Sequence, residues 1–255
     1  MFTYNINPVL ISIGGFQIRY YSLVYVIGFL VAYWMLLKLA ERKEIKGLTK
    51  EGVEDLVFYL MLFSIIGGRL GHFIFFNPSV FWTNPLEILM VWHGGMAIQG
   101  GLIGAAIAVW IFQRKHKVKF YPIADYLVMP LSFFLFLGRI ANFINGELWG
   151  TITNVSWCVN FPGVEGCRHP SQLYEAAKNL LIFGILYFYR NNKKLKEGVR
   201  FWGFILLYGI LRFITNFWRD GGEAKIIGLS MGQILSIIMI MMAVYYLWKI
   251  NRNDK

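Results

Sequence analysis

Three arginines stand inside otherwise apolar stretches of this chain: Arg69, Arg139 and Arg212. A guanidinium group in a hydrocarbon medium is expensive, so its first reading is functional. Its planar fork of donors suits bidentate capture of a phosphate. Around the second arginine the sequence runs Gly138-Arg139-Ile140-Ala141-Asn142-Phe143-Ile144-Asn145-Gly146-Glu147-Leu148-Trp149-Gly150. Here a cation, two amides and a carboxylate fall within about one helical turn and a loop. Capping the end of a helix would account for one asparagine, not for the set. The competing reading makes each arginine structural, snorkelling to an interface or paired with Glu147 or Glu175.

The elements that carry these residues follow from composition. The 255 residues are 57% hydrophobic and 15% charged, with a mean hydropathy of +0.52. Soluble domains carry about 25% charged residues, so this chain is short of ions, and its apolar content and two cysteines exclude a disordered, collagenous or disulfide-scaffold chain. Charge-poor runs of about 20 residues, the length that crosses a bilayer as a helix, predict an all-α polytopic membrane protein. Seven spans are expected, at 20–38, 54–76, 96–113, 123–143, 171–190, 200–218 and 228–248, as one integral-membrane domain over 1–255. The third begins only near 95–99, after the loop Trp92-His93-Gly94-Gly95. No cleavable signal peptide is evident, because Pro8 and Gly14-Gly15 break the first apolar stretch. The short segment 9–16 is expected at the interface.

The net charge of +11 could suggest nucleic acid, but its placement does not. Of the 25 basic residues, 17 lie in alternate loops and the tail: around 38–50, 114–119, 190–200 and 249–255. By the positive-inside rule the N-terminus is then outside and the C-terminus cytoplasmic, in a multi-pass cell-membrane protein. Measured from helix starts near Asp55, Ile123 and Arg200, the three arginines lie 14, 16 and 12 residues in. That is roughly 18–24 Å from the cytoplasmic end, toward the outer leaflet. Glycines cluster nearby. Gly67/Gly71 and Gly100/Gly104 have the spacing that lets helices approach closely, and some of these glycines could instead leave room for a phosphate. Cys158 and Cys167 share one outer loop, where a disulfide is permitted. No metal-ligand spacing and no Ser/His/Asp order stands out, and no cofactor is expected.

The stretch around Arg139 resembles the signature of the prolipoprotein diacylglyceryl transferase family. Six further blocks resemble the family in order: Arg19-Tyr20-Tyr21-Ser22 with Gly28-Phe29, Gly67–Gly71, Gly94–Gly104, Arg168–Glu175, Tyr208–Arg212 and Ser230–Ser236. The resemblance implies transfer of the sn-1,2-diacylglyceryl group of phosphatidylglycerol to the lipobox cysteine of preprolipoproteins. A thioether forms and glycerol phosphate leaves. It implies these two substrates as partners, no nucleic acid, a monomer in the cytoplasmic membrane, and a site facing the outer leaflet. Carried over residue by residue, Arg139 binds the lipid phosphate and Arg212 stabilises charge on the leaving phosphate. Tyr21, Asn142, Asn145, Glu147, Gly150, Tyr208 and Arg219 match positions the family relies on. Tyr21 either hydrogen-bonds the headgroup or belongs to an interfacial aromatic belt. Glu147 orients Arg139 or the glycerol hydroxyls. Arg69 joins the set from its depth alone.

Two positions depart from the family pattern. Gln99 stands where the family often has a histidine, a candidate base for the thiol. His93 either substitutes for it or is an ordinary interface residue. Asn216 stands where a glutamate usually follows Arg212, so an arginine-orienting carboxylate is expected to be missing. His169-Pro170-Ser171-Gln172 is expected to cap the fifth span. A transporter or scramblase also suits intramembrane arginines, although no inverted repeat is visible. A seven-helix receptor gives the arginines no purpose.

Overall fold

The computed structural model describes residues 2–14, 16–91, 94–220 and 227–252. The helices are Tyr20–Glu41 (α1), Lys50–Phe76 (α2), the single turn Val80–Thr83 (α3), Ile98–His116 (α4), Phe120–Ile144 (α5), Ser171–Phe188 (α6), Val199–Thr215 (α7) and Met231–Arg252 (α8). Tight 3₁₀ turns follow at Pro85–Leu89 and Asn216–Trp218. Among the described residues, seven helices run 17 residues or longer, each over one of the expected spans. Five are long and apolar enough to cross a membrane: α1, α2, α5, α7 with its 3₁₀ extension, and α8. The shorter α4 ends in Arg114, Lys115 and His116, and α6 opens on Ser171, Gln172, Glu175, Lys178 and Asn179.

The side chains are sorted as a lipid solvent requires. Arg69, Asp125, Glu175, Lys178, Gln172 and Asn179 are buried, while Trp34, Phe58, Ile74, Leu102, Trp110, Leu181 and Met241 are exposed. Rows of large exposed hydrophobics are rare on soluble domains. In a bilayer, helices satisfy their backbone internally and turn these side chains to the acyl chains.

The expectation of an all-α chain needs one correction. Val9–Ile13 (β2) and Phe16–Arg19 (β3) form an antiparallel hairpin, and Phe2–Thr3 (β1) pairs in parallel with Val159–Asn160 (β4). The segment expected to lie flat at the interface thus satisfies its backbone through a partner strand. Gly14, at φ +59°, sits in the turn, where a left-handed residue suits a tight hairpin. Periodicity misses such a strand because it is five residues long.

The contacts separate the chain into two units, Met1–Leu30 with Ala124–Lys255, and Val31–Ile123. In the second, α2 and α4 cross at their glycines. A Cβ on Gly67 would overlap the carbonyl of Gly100, and one on Gly104 would overlap the carbonyl of Phe63. Ala97 N–H also donates to Gly68 O at 2.9 Å, so the start of α4 is tied to α2. Close packing therefore accounts for this spacing. In the first unit, the buried carboxylate of Asp125 accepts the N–H groups of Gly198 at 2.6 Å and Phe201 at 2.7 Å. A side chain of α5 thus caps the positive end of α7. Ser230 and Gln233 form a reciprocal capping box on α8, at 3.0 and 3.2 Å. Trp202 and Tyr246 stack at 4.2 Å between α7 and α8.

The glycine crossing gives a graded test. Gly104→Ala is expected to destabilise the protein by about 1–3 kcal/mol, through overpacking against Phe63 O. Gly101→Ala, whose Cβ would sit an ordinary 3.6 Å from Ser64 O, is expected to be neutral. Thermal melting of both variants in detergent separates them; equal melting points would refute the crossing.

Candidate functional site

Polar side chains gather in the first unit, where α5 and α7 end and α6 begins. Arg139 lies five residues before the end of α5, Arg212 three before the end of α7, and Glu175 four past the start of α6. Glu175 is the hub. Its Oε1 accepts from Arg212 Nη1 and from Thr215 Oγ1, the latter at 2.7 Å. Its Oε2 accepts from Lys178 Nζ at 3.0 Å and faces Arg139 Nε at 3.6 Å. Lys178 also stands 4.1 Å from the centre of the Tyr208 ring, a cation–π contact. One carboxylate thus holds three cations.

The arginines remain the accessible part of this cluster. Their side chains are 14% exposed, against 4% for Glu175 and 2% for Lys178. Arg139 meets its protein partners through Nε and Nη1, and Arg212 through Nη1. A second chain of contacts runs from Arg139. Its Nη1 donates to Asn142 Oδ1 at 3.4 Å, and Asn142 Nδ2 donates to Glu147 Oε1 at 2.7 Å. Asn145 Nδ2 reaches the same Glu147 oxygen at 3.5 Å, and its own Oδ1 is buried with no partner. Glu147 therefore reaches Arg139 through Asn142 rather than by direct contact.

The loop that presents Glu147 is held by backbone. Ser171 Oγ donates to Leu148 O at 2.9 Å, and Gln172 Nε2 donates to Glu147 O at 2.7 Å. This corrects the expectation of capping for this block: Pro170 precedes the helix without a side-chain cap, and the next two residues bind the loop instead. His169 accompanies them, its ring 3.1 Å from the Tyr174 hydroxyl, and burial pushes its pKa down. Gly150 donates to His169 O at 2.9 Å and forms a β-bridge with Arg219. A Cβ there would overlap His169 O and Trp218 O, so only glycine lets these strands close. Arg168 adds an ion pair to Asp220 at 2.5 Å. Cys158 and Cys167 are joined as a disulfide across a Cα separation of 5.5 Å.

The remaining expected site residues are placed differently. Tyr21 is half-buried on α1, its ring 5.8 Å from Tyr25, which packs on Phe134 of α5. Gln99 is exposed in the first turn of α4, in the second unit. His93 lies outside the described residues. Arg69, also in the second unit, is committed to its own loop. Its Nε donates to Ile88 O at 3.2 Å, its Nη1 to Gly94 O and to Gly95 O at 3.3 Å, and its Nη2 to Glu87 O at 2.6 Å and Met90 O at 2.8 Å. With every donor engaged, it ties together Glu87, Ile88, Met90, Gly94 and Gly95, and its contacts give no support to the phosphate-gripping role expected from its depth.

Two expectations about carboxylates change. The carboxylate thought missing after Arg212 is supplied by Glu175 of α6. Asn216 instead donates to Ser230 Oγ at the start of α8. The second concerns Glu175 itself, which the sequence offers only as a structural partner for an arginine, with Lys178 left unassigned. The signal was present: two opposite charges three residues apart inside a spanning segment are expected to be buried together and functional.

Comparison with known proteins matches residues 8–249 to the family described as prolipoprotein diacylglyceryl transferase. A phosphatidylglycerol–prolipoprotein diacylglyceryl transferase of Rickettsia rickettsii (strain Sheila Smith) is 42% identical over 254 residues, covering 97% of this chain and 98% of the relative. The enzyme of the same name from Geobacter sulfurreducens is 39% identical over 242 residues, covering 93% of each.

The contrast between the arginines can be measured. Arg69→Ala is expected to lower stability by about 3–5 kcal/mol, because buried acceptors lose their donors. It should also speed proteolysis within residues 85–95. A variant that melts and resists protease like the parent would show that Arg69 does not hold this loop.

Proposed function

The chain belongs to the prolipoprotein diacylglyceryl transferase family, and from that premise we propose how its residues serve the reaction. The enzyme moves the diacylglyceryl group of phosphatidylglycerol to the lipobox cysteine of a prolipoprotein. The cysteine, its proton released to water, attacks as the thiolate the glycerol carbon that bears the phosphate. The S–C bond forms, the C–O bond breaks, and the electron pair departs with glycerol phosphate. The phosphodiester carries one negative charge and the departing monoester carries two. Stabilisation is therefore needed most at the phosphate, late in the step. Fixed cations in a site shielded from water act strongly on such developing charge.

The observation that carries the assignment is the shared carboxylate. Three cations around Glu175 leave an excess of two positive charges at two partly accessible guanidinium groups. Arg139 binds the phosphate of the bound lipid, and Arg212 meets the charge that grows on the leaving group. Asn145 Oδ1, buried without a donor, fits a headgroup glycerol hydroxyl, with Glu147 beside it. Tyr208 walls the cluster beneath Lys178, and Gly150 with Arg219 closes the loop beside it. Tyr21, half-buried on α1, serves as a headgroup contact in this reading.

All seven long helices span the cytoplasmic membrane in this reading, with the N-terminus outside, the C-terminus in the cytoplasm and the chain acting as a monomer. In this reading α4 crosses with its glycine face against α2 and its exposed apolar side chains toward lipid, and α6 crosses with its polar positions buried against protein. Three features support the orientation. Basic residues gather at the opposite helix ends from the arginine site. The disulfide lies in the loop on the site's side, and disulfides persist in oxidising compartments. Both arginines also lie within five residues of the ends of α5 and α7, near enough to the interface to reach a phosphate headgroup.

Incubation with phosphatidylglycerol and a lipobox peptide should give a diacylglyceryl mass gain on the peptide, and none on its cysteine-to-serine version. Arg139→Ala and Arg212→Ala are each expected to lower the rate about 10²–10³-fold, while Gln99→Ala retains most activity. Equal losses in Gln99→Ala and Arg139→Ala would instead make Gln99 part of the chemistry.

A further inference from the structure

Lys178 is a buried ammonium that the reaction above does not use. It is too enclosed to touch substrate, with 2% of its side chain exposed. Its partners lie within the protein: Glu175 Oε2 at 3.0 Å and the face of Tyr208 at 4.1 Å. A lysine here needs explanation, because Glu175 already has Arg212 and Thr215 on Oε1, and Arg139 would complete Oε2 unaided.

The geometry on Oε2 supplies one. Lys178 holds that oxygen at 3.0 Å, while Arg139 is kept at 3.6 Å and touches it only through Nε. The other end of Arg139 makes a long 3.4 Å contact to Asn142. A guanidinium beside an unclaimed carboxylate oxygen would close on it with short, charge-assisted bonds. A phosphate would then have to break that pair before binding. We propose that Lys178 is a positioning residue for the transfer reaction: by occupying Glu175 Oε2 it keeps Arg139 from being sequestered and leaves its outer donors for the lipid phosphate. Lys178 also supplies the third positive charge, without which the cluster's excess falls from two to one. The inference rests on the reading of Arg139 as the phosphate ligand.

This predicts a split between kinetic constants. In Lys178→Met, which keeps length and removes charge, the KM for phosphatidylglycerol rises about tenfold while kcat stays within about twofold. Lys178→Arg keeps the charge and restores KM to within about threefold of the parent. The double variant Lys178→Met with Glu175→Gln removes both the vacated oxygen's charge and the charge deficit, and returns KM toward the parent value. A lysine that merely stabilised the fold would not be rescued by removing its partner. Lys178→Gln, which still donates to Glu175, replaces Lys178→Met if the latter does not fold, and is expected to give a smaller KM rise. Unchanged KM in these variants, or a rise that Glu175→Gln leaves in place, overturns the proposal. Arg139→Ala measured alongside separates the two levels. If it leaves rate and KM unchanged, the phosphate-ligand reading has failed. If it abolishes transfer while the Lys178 variants behave as the parent, only the positioning role has failed.

Discussion

A single buried carboxylate, that of Glu175, must hold Arg139, Lys178 and Arg212 where apolar helices meet. Burying charge in low dielectric is strongly unfavourable unless it is paired and hydrogen-bonded. The three cations come from three helices, so α5, α6 and α7 are tied together at one end by this carboxylate. The pairing is incomplete by design of stoichiometry. Three positive charges against one negative leave an anion-shaped deficit, and the deficit lies on the two side chains with residual exposure. The same imbalance that weakens the empty cluster favours a bound phosphate, and favours its doubly charged product form further.

The rest of the first unit serves this arrangement. Asp125 fixes the start of α7 from α5, so the register of Arg212 relative to Arg139 is set from the far end of both helices. Ser171 and Gln172 draw the carbonyls of residues 147–148 onto the head of α6, which places Glu147 against its two asparagines. Beyond them Gly150, Arg168 and the disulfide close residues 150–170 into a braced loop. A disulfide across so short a loop contributes about 2–4 kcal/mol, chiefly by restricting the unfolded chain. That bracing lets a polar loop keep its shape beside an apolar medium.

Much of this was legible in the sequence, and what was not has a physical cause. Helix positions followed from the apolar runs, because a bilayer demands length and hydrophobicity and little else. Arg139, Asn142, Asn145 and Glu147 were legible because they fall within one turn and a loop, so local geometry brings them together. Pairing with Glu175 was one structural alternative in the sequence, but which arginine it meets was not legible, since 37 residues separate it from Arg212 and only the packing of α6 on α7 makes them neighbours. Arg69 shows the limit from the other side. It offers the same sequence signal as Arg139 and Arg212, a guanidinium in an apolar span among glycines. Its surroundings contain backbone carbonyls freed by the turns of residues 85–95, and these consume every donor. Residue type and depth fix the cost of burying an arginine; the acceptors within reach decide whether that arginine becomes a strut or a ligand. The hairpin at residues 9–19 was hidden for a similar reason, since its pairing depends on a tight turn and not on any periodic face.

The glutamine at position 99 sharpens what the arginine cluster must accomplish. A glutamine cannot remove a proton from a thiol, so the question is whether this chemistry needs a base. A cysteine of pKa about 8.5 at pH 7 lies about 1.5 units below its midpoint, and ionising it costs about 2 kcal/mol at 1.36 kcal/mol per unit. One well-placed charged or hydrogen-bonding group at a developing anion is worth about 2.7–4 kcal/mol. Two guanidinium groups acting on the departing phosphate as proposed would outweigh the cost of forming the thiolate. Their positive potential reduces that cost as well, because nearby cations lower a thiol's pKa. On these magnitudes the barrier is governed by the leaving group, and the excess of positive charge around Glu175 matters more than the identity of residue 99.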